Sequence, residues 1–271
     1  MDRVYIGRFV SSNGSKENNG IQFKERRRMQ LNISEYFYSF QGEGPDRGEP
    51  AIFIRTGGCA LDCKWCDTAE VWKNGKVAPV NFWREEMNSK LSGVLKAHGQ
   101  GNILLVLTGG DPMLQQGPLF ELVKQLRGIS TRCFNVQVES EGVRMPMDAF
   151  RSLSRYVNGH GHLRYNLSPK LANSGMELDR RYKPEVIQYH LANTNCVFKV
   201  VVSNEQDLKE WIEFYEVPFR IPRRKVYLMP CADNREDLVA QSPEIVRLAL
   251  KYGYHFSNRD HIVVFDRKTG V

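Results

Sequence analysis

The sequence contains no run of roughly 18 apolar residues, so no segment is long and oily enough to cross a bilayer. Its first ten residues, MDRVYIGRFV, lack the apolar core of a secretory leader, which makes a secreted chain an unexpected reading. Cysteine is sparse, six in 271 residues, and three of the six fall in one short stretch. That is no disulfide framework, and it suits the reducing cytosol. No internal repeat period is visible, which sets solenoids and propellers aside. The formal net charge is +7, but much of the excess sits in two short runs, 24–28 (KERRR) and 220–225 (RIPRRK). Such runs are ordinarily solvated faces or the rim of an anion site, so nucleic-acid binding is not expected. What remains is an ordinary globular composition, 41% hydrophobic and 25% charged, at a length that fits one large α/β domain.

Residues 11–20 (SSNGSKENNG) read as a flexible lead-in, and the first thirty residues as an N-terminal extension of a single domain spanning 31–271. From there apolar, β-rich runs occur at 51–56, 103–108, 134–139, 164–168, 197–202 and 225–229. Helical patterns near 80–97, 115–127, 146–156, 184–192 and 205–215 separate them, and one at 242–252 follows the last. Asp148, Asn204 and Ser242 stand where helix N-caps are wanted. Continuous apolar strands alternating with helices imply parallel βαβ units with right-handed crossovers. Six of them make a partial (βα)6 barrel, with chemistry expected at the C-terminal strand edge.

Just past the first of these strands comes the stretch around which the chain is organised, 51–68 (AIFIRTGGCALDCKWCDT), with Cys59, Cys63 and Cys66 at C-x3-C-x2-C spacing. Structural zinc wants four closed ligands. Here the local set stops at three: no histidine follows within ten residues of Cys66, and the next cysteine is Cys133. A disulfide would leave an odd thiol, and chance core cysteines would not sit among Asp62, Lys64 and Asp67. Three thiolates instead suit a [4Fe–4S] cluster with one iron left open, since a closed cluster takes four cysteines. CALDCKWC, with Trp65 before the last cysteine, resembles the cluster loop of radical S-adenosylmethionine (SAM) enzymes. That resemblance implies a unique iron chelating the amino and carboxylate groups of SAM. One-electron reduction then cleaves SAM to a 5′-deoxyadenosyl radical, the cofactor carrying the hard chemistry.

Three further strand ends fit the same site. Thr108-Gly109-Gly110-Asp111-Pro112 ends the strongest strand, where adjacent glycines let backbone approach a ligand closely. It is similar to the family's GGE-type motif, with Asp for Glu. By resemblance Gly110 and Asp111 hold SAM, as do Trp65, Cys66 and Asp67 in the cluster loop, and Thr108 meets substrate. Glu139-Ser140 and Ser168-Pro169-Lys170 end the next two strands, and polar groups at successive strand tips share one mouth. Resemblance makes these five SAM contacts as well. Met229, in Tyr227-Leu228-Met229-Pro230, departs from the family's Gln-Pro, so no polar contact to adenine is carried over there. Cys133, Cys196 and Cys231 read as small buried hydrophobes.

The stretch before the cluster is more particular. Within 34–44 (SEYFYSFQGEG), Gln41, Gly42 and Glu43 form a Gly-rich turn, and Arg55 precedes the cysteines. A glutamine offers the donor and acceptor of a pterin or purine amide edge, and an arginine grips a carboxylate with two prongs. FQGEG, then IRTGGC, then CDT resemble the 7-carboxy-7-deazaguanine synthase family over roughly residues 31–265. The resemblance implies a lyase acting on 6-carboxy-5,6,7,8-tetrahydropterin. Hydrogen is taken from C6, the ring contracts, ammonia leaves and SAM is regenerated. It further implies a substrate site of Phe40, Gln41, Gly42, Glu43, Arg55, Thr108 and His261, and a Mg²⁺ ion at Thr68. A flavodoxin or ferredoxin as reductant and a homodimer are implied too. Val271 lies beyond the matching stretch and is given no role. The alternatives are an activase of a glycyl-radical enzyme and, outside the enzymes, a zinc-containing nucleic-acid-binding module.

Overall fold

The protein is described by a computed structural model covering residues 30–97, 103–129, 134–157 and 162–271. The lead-in at 11–20, the basic run at 24–28 and Cys133 lie outside the described residues. The strands are β1 (Gln30–Phe40), β2 (Pro50–Thr56), β3 (Lys76–Pro79), β4 (Ile103–Gly109), β5 (Phe134–Ser140), β6 (Leu163–Leu167), β7 (Cys196–Val202), β8 (Val226–Pro230) and β9 (His255–Phe256). They form one sheet in the order β3-β1-β2-β4-β5-β6-β7-β8-β9. From β2 through β9 every pairing is parallel, and β1 pairs antiparallel with both β2 and β3. The six predicted runs are β2 and β4 to β8, each within a residue or so of its expected bounds, and together they make the partial (βα)6 barrel.

Burial follows the two-residue period of a strand. Leu105 and Leu107 of β4, Val136 and Val138 of β5, and Phe198 and Val200 of β7 pack into the main core. Each buried side chain of this size stabilises the fold by roughly 1.5–3 kcal/mol. The intervening residues face the barrel interior. On one side they are apolar, with Ala51, Leu104 and Val106 packed against Phe53. On the other they are polar, with Gln137, Asn166 and Lys199 all buried.

Gln41 onward is turn, as expected, and Ser34–Phe40 before it belongs to β1, a strand outside the six expected runs. A register break between Ile33 and Glu35 interrupts the strand's alternation and hides it from a periodicity reading. The last long helix runs Arg235–Tyr252, starting seven residues before the predicted Ser242. Asn234 is its cap, accepting from the Asp237 amide, while Ser242 lies inside and donates back to the Leu238 carbonyl at 2.6 Å. Asp148 is the first residue of its helix, not the cap: the Phe150 and Arg151 amides donate to the Met147 carbonyl. Asn204 does cap as expected, its Oδ1 accepting from the Gln206 and Asp207 amides at 2.8 and 3.1 Å. Cys196 is buried as expected, whereas Cys231 is only half-buried.

Behind β6, His190 is 1% exposed, tilted against the Tyr165 ring at 4.6 Å and 3.2 Å from the Thr194 hydroxyl. Burial pulls its pKa down to about 4. The folded state therefore keeps it neutral, whereas an unfolded imidazole takes up a proton near pH 6.5. Its contribution is fully present above pH 6.5 and is lost as pH falls toward 4, about 2 kcal/mol of it by pH 5. Urea unfolding at pH 7 and pH 5 should show His190→Gln losing less stability over that interval than the parent. Equal losses would mean that this histidine does not carry the acid sensitivity.

Candidate active site

The C-terminal ends of the parallel strands open into one cavity, and the cysteine loop forms part of its wall. The loop is built against the end of β4 by backbone contact. Gly110 N donates to Thr56 O at 3.0 Å and Asp111 N donates to Gly58 O at 2.9 Å. A Cβ on Gly110 would lie 1.8 Å from the Gly58 carbonyl oxygen, and one on Gly109, at φ +116°, would lie 2.2 Å from the Thr56 carbonyl oxygen. The paired glycines are required by this interlock of β4 with the cysteine loop.

Cys59, Cys63 and Cys66 all line the cavity, and none forms a disulfide. Among the described residues no three His, Cys, Asp or Glu side chains gather around one point closely enough for a single ion. Three thiols on one wall suit a cluster in which each of three irons takes one thiolate. Burial pushes the Cys59 thiol up, with the Glu141 carboxylate adding to it, and burial raises Cys63 too. Both would give up protons on taking iron. The residues fit the cluster.

Beside the thiols stand Trp65, whose indole N–H donates to Asn173 Oδ1 at 3.3 Å, and Lys170. The Lys170 ammonium donates to Ser168 Oγ at 2.9 Å and lies 5.3 Å from the centre of the Trp65 ring. The Thr68 hydroxyl is 3.7 Å from Cys66 Sγ and caps no amide of the short helix that it precedes.

The other side of the cavity is a buried ion network. Lys199 bridges Glu43 at 2.7 Å and Glu139 at 2.5 Å. Arg259 holds Glu43 at 2.9 Å and also pairs with Asp67. Burial alone would raise the Glu43 carboxyl, but the Lys199 ammonium and Arg259 guanidinium outweigh it and hold the group well below the usual range. Glu139 accepts further bonds from Asn166 Nδ2 at 3.1 Å and from Gln137 Nε2. Gln41 is pinned through its backbone, donating to Glu49 O at 2.8 Å and accepting from Gly48 N at 2.7 Å. Its side-chain oxygen accepts from Glu43 N at 3.1 Å. His261 Nε2 lies 3.8 Å from Glu43 Oε1. Burial pulls its pKa down to about 4, so the ring is neutral at pH 7. A Cβ on Gly42 would stand 2.4 Å from His261 Nδ1, so glycine there is what lets the histidine close in.

The cavity thus brings together Phe40, Gln41, Gly42, Glu43, Arg55, Thr108 and His261 with Trp65, Asp67, Thr68, Gly110, Glu139, Ser140, Ser168, Lys170 and the three cysteines. Two predicted residues do not reach its wall, Asp111 and Pro169. Asp111 is 0% exposed: Oδ1 caps the Met113 amide at 2.8 Å and Oδ2 accepts from Ser140 Oγ at 3.1 Å. Two others stand differently from expectation. Arg55 already pairs with Glu35 at 2.8 Å, its guanidinium 5.2 Å from the Phe37 ring centre. Glu139, expected near the cofactor, is tied into the Lys199 network. Met229 lines the wall without a polar group, in line with its departure from Gln-Pro.

Sequence reasoning missed Glu141, Lys199 and Arg259, and gave no role to the chain's last residues, although Lys268, Gly270 and Val271 line the cavity. Lys199 had a signal: a lone charge inside the apolar strand CVFKVVV. The others had none, because contacts across the barrel mouth leave no local pattern.

Residues 40–145 match the model of a 4Fe-4S single cluster domain. The chain is 33% identical to the 7-carboxy-7-deazaguanine synthase of Pyrobaculum aerophilum over 241 residues, covering 89% of this chain and 97% of that one. It is 32% identical to the enzyme of the same name from Hyperthermus butylicus over 240 residues, covering 86% and 92%. The crystal structure of QueE from Escherichia coli superposes with a TM-score of 0.55 at 21% identity, covering 88% of this chain and 98% of that one, and shares the fold. Neither the glycyl-radical activase nor the zinc module is favoured by these likenesses. With the three thiols on a shared wall and near full-length likeness to its relatives, the chain belongs to the 7-carboxy-7-deazaguanine synthase family of radical SAM enzymes.

Proposed function

We propose that residues 31–271 act as one domain that converts 6-carboxy-5,6,7,8-tetrahydropterin to 7-carboxy-7-deazaguanine with loss of ammonia. One observation carries this reading: a single cavity is lined both by three thiols and by a preorganised polar set of Gln41, Glu43, Lys199 and His261. Cys59, Cys63 and Cys66 would hold a [4Fe–4S] cluster, which together with SAM would supply the one-electron chemistry that removes hydrogen from the substrate.

The chain's own residues bind and orient. The Gln41 carboxamide and the Glu43 carboxylate offer a donor and acceptors to the amide and amine edge of a pterin. Glu43 stays ionised through Lys199 and Arg259, so its acceptor strength is fixed before substrate arrives. The neutral His261 ring can donate or accept a proton at a ring nitrogen. The stacked pair Phe37–Phe53, 5.0 Å between centroids, and the tilted pair Phe40–Phe265 at 6.0 Å supply apolar surface that excludes water. Trp65, Gly110, Ser168 and Lys170 flank the cofactor side. The Thr68 hydroxyl, in contact with Cys66 Sγ, is the group we assign to Mg²⁺, a hard ion that takes oxygen ligands. A flavodoxin or ferredoxin as reductant, a homodimer and the cytosol complete the proposal. Among the described residues no helix is long and apolar enough to cross a membrane.

Anaerobic turnover tests the assignment. Iron-loaded, reduced protein given SAM, Mg²⁺ and the carboxytetrahydropterin should release the ultraviolet-absorbing deazaguanine together with ammonia. If protein with its full iron complement leaves the pterin unchanged, the substrate assignment is wrong.

A further inference from the structure

Two parts of the cavity wall are anchored independently of each other. The turn after β1, which carries Gln41 and Glu43, is stitched to residues 257–261. Gly44 N donates to Ser257 Oγ at 2.8 Å, Asp260 N donates to Gly42 O at 3.0 Å, and Arg47 pairs with Asp260 at 2.8 Å. The cysteine loop is instead fastened to the segment after β6. There Lys64 N donates to Ser174 O at 3.0 Å, the Trp65 indole N–H donates to Asn173, and the Arg180 guanidinium donates to Ala60 O at 2.8 Å.

Arg259 joins the two. It is 9% exposed, and each nitrogen of its guanidinium is committed to a different element. Nε donates to Glu43 Oε1 at 2.9 Å in the turn, Nη2 donates to Asp67 Oδ2 directly after Cys66, and Nη1 donates to the Ala232 carbonyl beyond β8. Among the described residues, the Arg259–Asp67 pair is the hydrogen-bonded tie between the stitched turn and the cysteine loop. A lysine, one point charge on a flexible stem, cannot reproduce that fork.

Hydrogen transfer between two bound molecules needs the reacting atoms held about 3–3.5 Å apart, and an error of about 1 Å can cost on the order of a hundredfold in rate. We propose that Arg259 is a positioning residue that sets the spacing between the pterin wall and the cysteine loop. This rests on the function proposed above. Arg259 makes and breaks no bond; it acts through Glu43 and Asp67.

The test counts deoxyadenosine released per deazaguanine formed by the iron-loaded, reduced enzyme at saturating SAM and pterin. In the proposed reaction SAM is regenerated, so released deoxyadenosine counts cycles in which hydrogen did not pass correctly between the two bound molecules. Arg259→Lys keeps a cation that cannot hold both acids. Asp67→Ala cuts the tie from the other end and leaves Glu43 both of its cations. Asp67 has 29% of its side chain exposed and lies outside the core, so this variant gives a folded reading even if Arg259→Lys does not. Each should raise the ratio about tenfold, and the double variant should be no worse than either, because both remove the same tie. In iron-free protein, oxidised 6-carboxypterin should bind Asp67→Ala within about threefold of the parent, since the turn keeps its own stitching. A parental ratio in either folded single variant, additive effects in the double one, or a larger loss of pterin affinity in iron-free Asp67→Ala overturns the inference. The parent separates the two levels. Parental turnover with an unchanged ratio in the variants discards this inference alone, whereas an iron-loaded parent that leaves the pterin unchanged discards the functional reading with it.

Discussion

Cys63→Ala should abolish SAM cleavage, and its iron content should fall well below the roughly four atoms per chain of an intact cluster. With one of three thiolates gone, two corners of the cube would lack a protein ligand, and among the described residues no fourth cysteine lines the cavity to replace it. The fold should survive. Cys63 is half-buried in a loop outside the hydrophobic core, so the substitution opens no core cavity, and far-ultraviolet circular dichroism of the iron-free protein should match the parent's. Cys196→Ala is the contrasting control. That thiol, on the first residue of β7, is buried in the core, so its loss should lower stability by about 1 kcal/mol and leave iron content and deoxyadenosine formation intact. Same residue type, opposite readouts. Deoxyadenosine release from Cys63→Ala at the parental rate would remove the basis for the radical mechanism.

What the sequence makes legible here is whatever chemistry writes locally. The cysteine spacing, the paired glycines at 109 and 110, and the apolar strands are each set by neighbours a few residues away. Each stands in the structure where its spacing put it. The strand β1 was hidden by its register break, and β9, at two residues, is too short to show a period. The ion network was illegible for a different reason. Glu43 meets Lys199 across 156 residues and Arg259 across 216, so nothing near any of the three announces the others. Resemblance found Glu43 and His261 but not the cations that set their charge. Asp111 shows the converse failure, a residue chosen correctly for its motif whose carboxylate is spent on local backbone and a neighbouring serine.

Lys199→Met should destabilise the protein by about 3 kcal/mol and slow turnover sharply, the second large effect. Lys199 is 5% exposed and is the cation between Glu43 and Glu139. Methionine fills the space of its stem but leaves Glu139 with amide donors only, Gln137, Asn166 and Gln41, while Glu43 retains Arg259. The penalty is therefore that of stranding one buried carboxylate, and it should be reversible by removing that charge. Glu139→Gln added to Lys199→Met should recover more than half of the lost stability, read as the shift in thermal midpoint of the double variant. At a domain of this size 3 kcal/mol corresponds to roughly 6–12 °C, well within reach of a melting curve. Turnover should not recover to the same extent, because the polar wall facing the pterin would still lack the ammonium that holds Glu43 and Glu139 together. If stability and turnover return together, Lys199 serves the fold alone and Glu43 does not depend on it for orientation. If neither returns, the coupling runs through Glu43, and Glu43→Gln on the same background should then restore the midpoint.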